Sequence, residues 1–328
     1  MTICYYIFSF TKLLKAKLLL LLFSCVLFAQ PNNNECINRQ ISNLLENSEN
    51  ESVDIKIKHI KCELESSKCK RFISVTQDTT PYLYNFLIPP IQQLCKIAGT
   101  LSVPCIKICV ENASEIMAIE SDEFSIFLGK EFLKLFLYDS RYTPYLFSLI
   151  AHELWHIHYD TPEKKPSANN ELLADEFAVR ITQGKKQFET ALMLATISLN
   201  LFFAITNIGR KNCISQLFTN KEIASITRKT AFHMLTIIQK GTCKEFIDVQ
   251  YDSNLLLSTF FTKALQKIPL EITPPDSFAD KLIKSIDQLY SEKKLIKEMC
   301  NKTLFNATNK STHPPLAERI RRIQELKL

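Results

Sequence analysis

Residues 151–156 read Ala-His-Glu-Leu-Trp-His. His152 and His156 lie four apart, so on a helix both imidazoles project from one face, one turn from each other. Two imidazoles placed that way fit two corners of a tetrahedral zinc site. Glu153 stands beside them, where a carboxylate can take a proton from water activated by the metal. Further on, residues 169–178 read Asn-Asn-Glu-Leu-Leu-Ala-Asp-Glu-Phe-Ala, and Glu171 and Asp175 form a second i, i+4 pair. A structural zinc site closes with four protein ligands, whereas a catalytic one keeps three and leaves a place for water. Glu171 is the expected third ligand. Asp175 is expected to accept the free ring N–H of one histidine, His152 by preference, fixing its tautomer. Each pair alone also has a plain reading, two unrelated histidines or a solvated acidic face; the two pairs in succession favour the metal.

Two helices must carry these side chains. The first is expected over Tyr145–Tyr159. Residues 160–166 contain two prolines and a run of charge, which reads as a turn. The second helix is expected to start between Ser167 and Asn170, where capping residues cluster. His156 and Glu171 then flank the turn at similar depth in an antiparallel pair, and Ala174 and Ala178 are small enough for close approach. Other zinc patterns fail. The longer HExxHxxGxxH form needs Gly and His where Tyr159 and Pro162 stand. No CxxC pair is present for a thiolate site, and His158 points away from the ligand face.

His-Glu-Leu-Trp-His followed by Glu-Leu-Leu-Ala-Asp-Glu-Phe-Ala resembles the gluzincin metallopeptidases of the family that holds HtpX and the CAAX prenyl endopeptidases. Residues 311–320, Ser-Thr-His-Pro-Pro-Leu-Ala-Glu-Arg-Ile, are similar to the family's C-terminal segment. Residues 114–118 and 124–130 look like its paired strands. The resemblance implies a zincin-like core and one Zn2+ held by His152, His156 and Glu171. It also implies that Glu153 is the general base, that Asp175 supports a ligand, and that His313 and Arg319 line the cleft and stabilise the charged intermediate. Trp155 departs from the small residue usual before the second histidine, and Met117 from the frequent Asn. His313 has a reading of its own: Pro314 and Pro315 suit the first turn of a helix, whose apolar face would be Leu316, Ile320 and Ile323.

The chain has only 5 Gly in 328 residues, which disfavours a turn-rich all-β protein. The expected class is α+β, mainly α-helical, with a small mixed or antiparallel sheet and an HExxH active-site helix. Short strands are expected at Ile106–Val110, Ile116–Ile119 and Phe124–Leu128, the last as a sheet edge able to pair with extended substrate. The alternation of Val53, Ile55 and Ile57 predicts a strand over Ser52–Ile60, and Tyr82–Ile97 predicts a helix interrupted at Pro89-Pro90. The catalytic region is placed at 30–185. A helical region, 186–328, ends in the His-Pro-Pro segment that returns to the active site.

Residues 1–29 read as a signal peptide or N-terminal anchor: three lysines, then the uncharged run Leu18–Ala29. Its loss lowers the formal charge from +6 to +3, a surplus that argues for no particular partner; the basic run Arg319–Arg322 is too short to indicate nucleic acid. Nine of the 11 cysteines lie beyond residue 29, so disulfides are possible on export but connectivity is open. Thr190–Gly209 carries no charge until Arg210; a buried core helix is favoured over a bilayer span. The expected protein is an exported zinc endopeptidase, periplasmic, extracellular or membrane-anchored, acting on protein or peptide substrates. Two alternatives stay open: a membrane-embedded protease or sensor using Leu18–Ala29 and Thr190–Gly209, and an inactive zinc-binding protein that holds peptides in the same cleft.

Overall fold

The computed structural model describes residues 53–66, 72–99, 106–111, 119–122, 125–159, 167–212, 217–240, 253–269, 273–292, 296–299 and 314–327. The fold is mainly helical with a small mixed sheet. Phe72–Ser74 (β1), Lys107–Glu111 (β2), Ile119–Asp122 (β3) and Ser125–Gly129 (β4) lie in the order β1-β2-β4-β3. β2 and β4 are parallel, with Ile108 opposite Ile126 and Val110 opposite Leu128. All four side chains are buried, so the period-2 alternation puts one face of the central pair into the core. β1 and β3 pair antiparallel on the outside. The expected edge, Phe124–Leu128, is thus an interior strand. Among the described strands the edges are β1 and β3, and β3 runs alongside the helix bearing His152. Local alternation reports a buried face but not how many neighbours a strand has, because pairing is nonlocal.

The strand expected over Ser52–Ile60 is a helix, Val53–Ser66 (α1). Ile57, Ile60 and Leu64 are buried while Ile55 is 44% exposed. The 3-and-4 spacing that runs on to Leu64 overrides the short alternation at its start. The helix expected to break at Pro89-Pro90 runs uninterrupted over Pro81–Ala98 (α2). Each internal proline costs about 3 kcal/mol through a lost hydrogen bond and ring crowding. The buried side chains of Leu83, Phe86, Leu87, Ile88, Ile91 and Leu94 offset this, at about 1.5–3 kcal/mol for each fully buried apolar side chain.

Lys130–Phe136 (α3) follows β4 directly and leads through a 3-10 turn, Ser140–Tyr145, into Leu146–Tyr159 (α4). Ala168–Thr182 (α5) packs on α4. Next come Lys185–Asn212 (α6), Asn220–Gln239 (α7), Ser253–Gln266 (α8), Pro275–Ser291 (α9) and Leu316–Glu325 (α10). Among the described residues α6 is the one helix long and apolar enough to cross a membrane. It packs against α4, α7, α8 and α10, and Leu194, Ile197, Leu201 and Ile205 are fully buried, as suits a central core helix. One hydrophobic core runs from Ile57 on α1 to Ile323 on α10, so residues on both sides of position 185 share it.

Helices α1 and α2 are joined by a cap supplied from outside. The Thr80 side chain does not cap α2; instead the Glu63 carboxylate on α1 accepts from the Tyr82 N–H at 2.9 Å and the Leu83 N–H at 2.8 Å. Both are donors a helix cannot satisfy internally. Glu63→Ala is expected to lower stability by about 1–2 kcal/mol, read as a lower urea midpoint at unchanged slope; an unchanged midpoint would show that water replaces the cap at no cost.

Candidate metal centre

The first half of α4 is apolar and enclosed: Leu146 to Leu154 are all buried, His152 and Glu153 included. A helix covered on every side has no solvent to hydrate its imidazoles, so they must find partners in the protein. α5 brings them. It starts at Ser167, whose Oγ accepts from the Asn170 N–H at 3.2 Å, as the capping cluster in the sequence predicts. Glu171 and Asp175 are buried on the face turned to α4. Ala174 and Ala178 are fully buried beside them, leaving room for the two helices to close.

Nε2 of His152 and Nε2 of His156 are 3.1 Å apart. The Glu171 carboxylate lies 3.5 Å from each of them, Oε2 towards His152 and Oε1 towards His156. A tetrahedron with arms of about 2.05 Å has edges of about 3.3 Å; each separation is near one such edge, the two carboxylate contacts using different oxygens, and one ligand atom from each residue lies within 4.8 Å of the others. Two imidazole nitrogens and a carboxylate facing one another repel unless a proton or cation sits among them. The His152, His156 and Glu171 group can therefore hold a metal ion, and its two nitrogens and one oxygen suit zinc. His158, the neighbouring histidine, is exposed on the far side of the helix.

Asp175 meets His152 from behind, Oδ1 being 2.9 Å from Nδ1. The Nδ1 atom has no in-line hydrogen-bond acceptor, so charge holds this contact as much as a hydrogen bond does. On its other side Asp175 takes a two-pronged bond from Arg319 of α10: Nε donates to Oδ2 at 2.7 Å and Nη2 to Oδ1 at 2.5 Å. Nη2 also lies 3.8 Å from Oε2 of Glu171. Arg319, expected at the cleft, has its Nε and Nη2 engaged with Asp175 beside the ligand group. A guanidinium is drawn there because Asp175 is wholly buried and must be neutralised. The expected apolar face of α10 is present, with Leu316, Ile320 and Ile323 buried. His313 lies outside the described residues, as do the turn at 160–166 and the leader at 1–29.

Sequence reasoning passed over the aromatic residues that fix the rings. Phe188 on α6 stacks on His152 with centroids 6.3 Å apart and planes at 25°. Trp155 stands edge-on to His156 at 5.4 Å, and Tyr159 packs against Trp155 and Phe177. The unusual Trp155 is thus part of the wall around the second ligand. Phe188 belongs to a different helix, and no local spacing marks it.

Burial works against the Asp175 charge, but Arg319 and then His152 outweigh it and hold the carboxyl down at about 2. Burial likewise works against a charged His152, yet Asp175 and Glu171 prevail and push the imidazole up to about 9. Asp175 and Glu171 thus favour the protonated imidazole of His152, one of the donors a metal would use.

No protein-family model matches the chain, and searches of curated proteins and of solved structures return no match.

Metal must displace the His152 proton. Below about pH 9 a higher pH removes that competitor, so zinc affinity should rise roughly tenfold per pH unit between about pH 6 and 8. Titration calorimetry in buffers of different ionisation enthalpy checks both the trend and the released proton. An affinity flat across that range would mean that His152 is already neutral.

Proposed function

We propose that the chain is a zinc-dependent endopeptidase of zincin type, with His152, His156 and Glu171 as ligands and Glu153 as general base. The observation that carries this reading is the convergence of one ligand atom each from His152, His156 and Glu171, all within 4.8 Å of one another, drawn from an HExxH segment and the following helix. A His2Glu set leaves one coordination place for chemistry, unlike the closed four-ligand sets of structural zinc. Bound there, zinc supplies a Lewis acid that polarises a carbonyl and lowers the pKa of water.

The remaining work falls to the protein. Glu153 adjoins His152 on the buried half of α4 and is close enough to Arg319 for its charge to act there. In the proposed reaction Glu153 takes the proton of the attacking water and returns it to the leaving amine. Asp175 holds His152 so that Nε2 faces the site. His313 is the candidate donor to the oxyanion, since it precedes by three residues a helix that Arg319 fixes to the site. Strand β3 supports a peptide substrate: it is the sheet edge beside α4, and an extended chain can add to such an edge by main-chain hydrogen bonds. Export rests on the targeting pattern of residues 1–29.

Glu153→Gln keeps the ligand set and removes the base. It should bind one zinc per chain as the parent does while losing roughly 10²- to 10⁴-fold in kcat on an unstructured protein substrate. Full activity in that variant, or no zinc in the parent protein by metal analysis, would overturn the assignment.

A further inference from the structure

Helix α10 is fastened at two places by polar clasps, and both lead to the metal ligands. At its C-terminal end the Lys185 ammonium donates to the carbonyls of Gln324, at 3.2 Å, and Leu326. Glu189, one turn further along α6, accepts from the Gln324 side chain. These carbonyls belong to the last turn, where a helix leaves acceptors unsatisfied and favours a cation. Between Lys185 and Glu189 on the same helix, Phe188 stacks on His152. The start of α6 is set by the junction with α5, where Gln183 takes the left-handed conformation at φ 50° before Gly184. One short stretch thus ends the helix that bears Glu171 and Asp175, covers His152, and grips α10.

Nearer its N-terminal end, α10 places Arg319 on Asp175 through two hydrogen bonds, and Asp175 touches His152. Leu316, Ile320 and Ile323 bury the intervening face. Were α10 to leave, Asp175 would keep a buried charge with only His152 beside it. The repulsion among Asp175, Glu171 and Glu153 would also lose the Arg319 charge that all three feel.

We propose that Arg319 is a positioning residue through which the docking of α10 and the capture of zinc at His152, His156 and Glu171 are coupled, so that the C-terminal helix sets the metal affinity. This rests on the metal-site reading above and adds a dependence that the ligand set alone does not demand. Arg319 fixes Asp175, Asp175 fixes the ring of His152, and loss of such an outer partner costs roughly 10- to 100-fold in metal affinity. Linkage makes the effect mutual: zinc must strengthen the docking of α10 by the factor by which docking strengthens zinc binding.

The test uses the full chain, with zinc affinity, the visible spectrum of bound cobalt and amide exchange of residues 316–325 as readouts. Arg319→Met should bind zinc roughly 10- to 100-fold more weakly and alter the cobalt spectrum. Arg319→Lys keeps the charge but not the two-pronged geometry, and should fall between that variant and the parent. Zinc should slow amide exchange in α10 of the parent protein. Lys185→Met leaves the buried Arg319–Asp175 pair in place, so it serves if Arg319→Met does not fold. It should speed exchange in α10, and zinc should restore protection there by the factor by which docking strengthens zinc binding. Parent-like zinc affinity and cobalt spectrum in Arg319→Met would overturn the coupling. So would exchange in α10 of Lys185→Met that saturating zinc leaves unchanged. A parent protein that binds no zinc would remove the metal-site reading itself, a result separate from either of these.

Discussion

A carboxylate with no access to water dictates how the three site-building helices meet. Asp175 is fully buried, and an isolated charge in such a place costs several kcal/mol. Two groups answer it: the imidazole of His152 from α4 and the guanidinium of Arg319, 144 residues further along the chain. Breaking either contact would strand a buried charge, so the relative positions of α4, α5 and α10 are constrained far more tightly than apolar packing alone would require. The metal ligands inherit that constraint. His152 is turned by the same carboxylate, and Glu171 sits one helical turn before it.

Apolar packing supplies the frame within which this polar contact is exact enough to matter. The buried half of α4 is enclosed by the sheet, α2, α5 and α6. The small side chains of Ala174 and Ala178 let α5 approach, and Phe188 and Trp155 restrict the two imidazole rings. The result is a set of three donors brought together before any ion arrives. Holding them so has an electrostatic cost without a metal, and the carboxylates of Asp175 and Glu171 draw a proton to His152. A cation relieves that repulsion, which is the physical reason for reading the cluster as a metal centre rather than as an ordinary ion-pair network.

Much of this site was legible because its parts are local. His152 with His156, and Glu171 with Asp175, share helix faces by spacing alone, and the capping residue Ser167 marks where α5 starts. Asp175 was expected to accept the ring N–H of His152; its Oδ1 lies 2.9 Å from Nδ1, without the geometry of a hydrogen bond. The unread parts are nonlocal. Nothing near Arg319 says that it will meet Asp175; only the family resemblance gave it a place, with His313, at the cleft. Phe188 and Lys185 act across helix boundaries. In the fold, three alternating apolar residues were too short a window to distinguish strand from helix at Val53–Ile57, and two prolines were too local a signal to outweigh the packing of α2. The exchange of edge between β4 and β3 has the same origin, since a strand's pairing partners are set by topology rather than by its own residues.

The most direct test is zinc-edge X-ray absorption on the full chain loaded with one equivalent of metal, compared with Glu171→Ala. The account predicts a shell of nitrogen and oxygen only, two imidazoles and a carboxylate at about 2.0–2.2 Å, with the carboxylate contribution absent from the variant. Sulfur at about 2.3 Å, or a shell that does not change when Glu171 is removed, would contradict it.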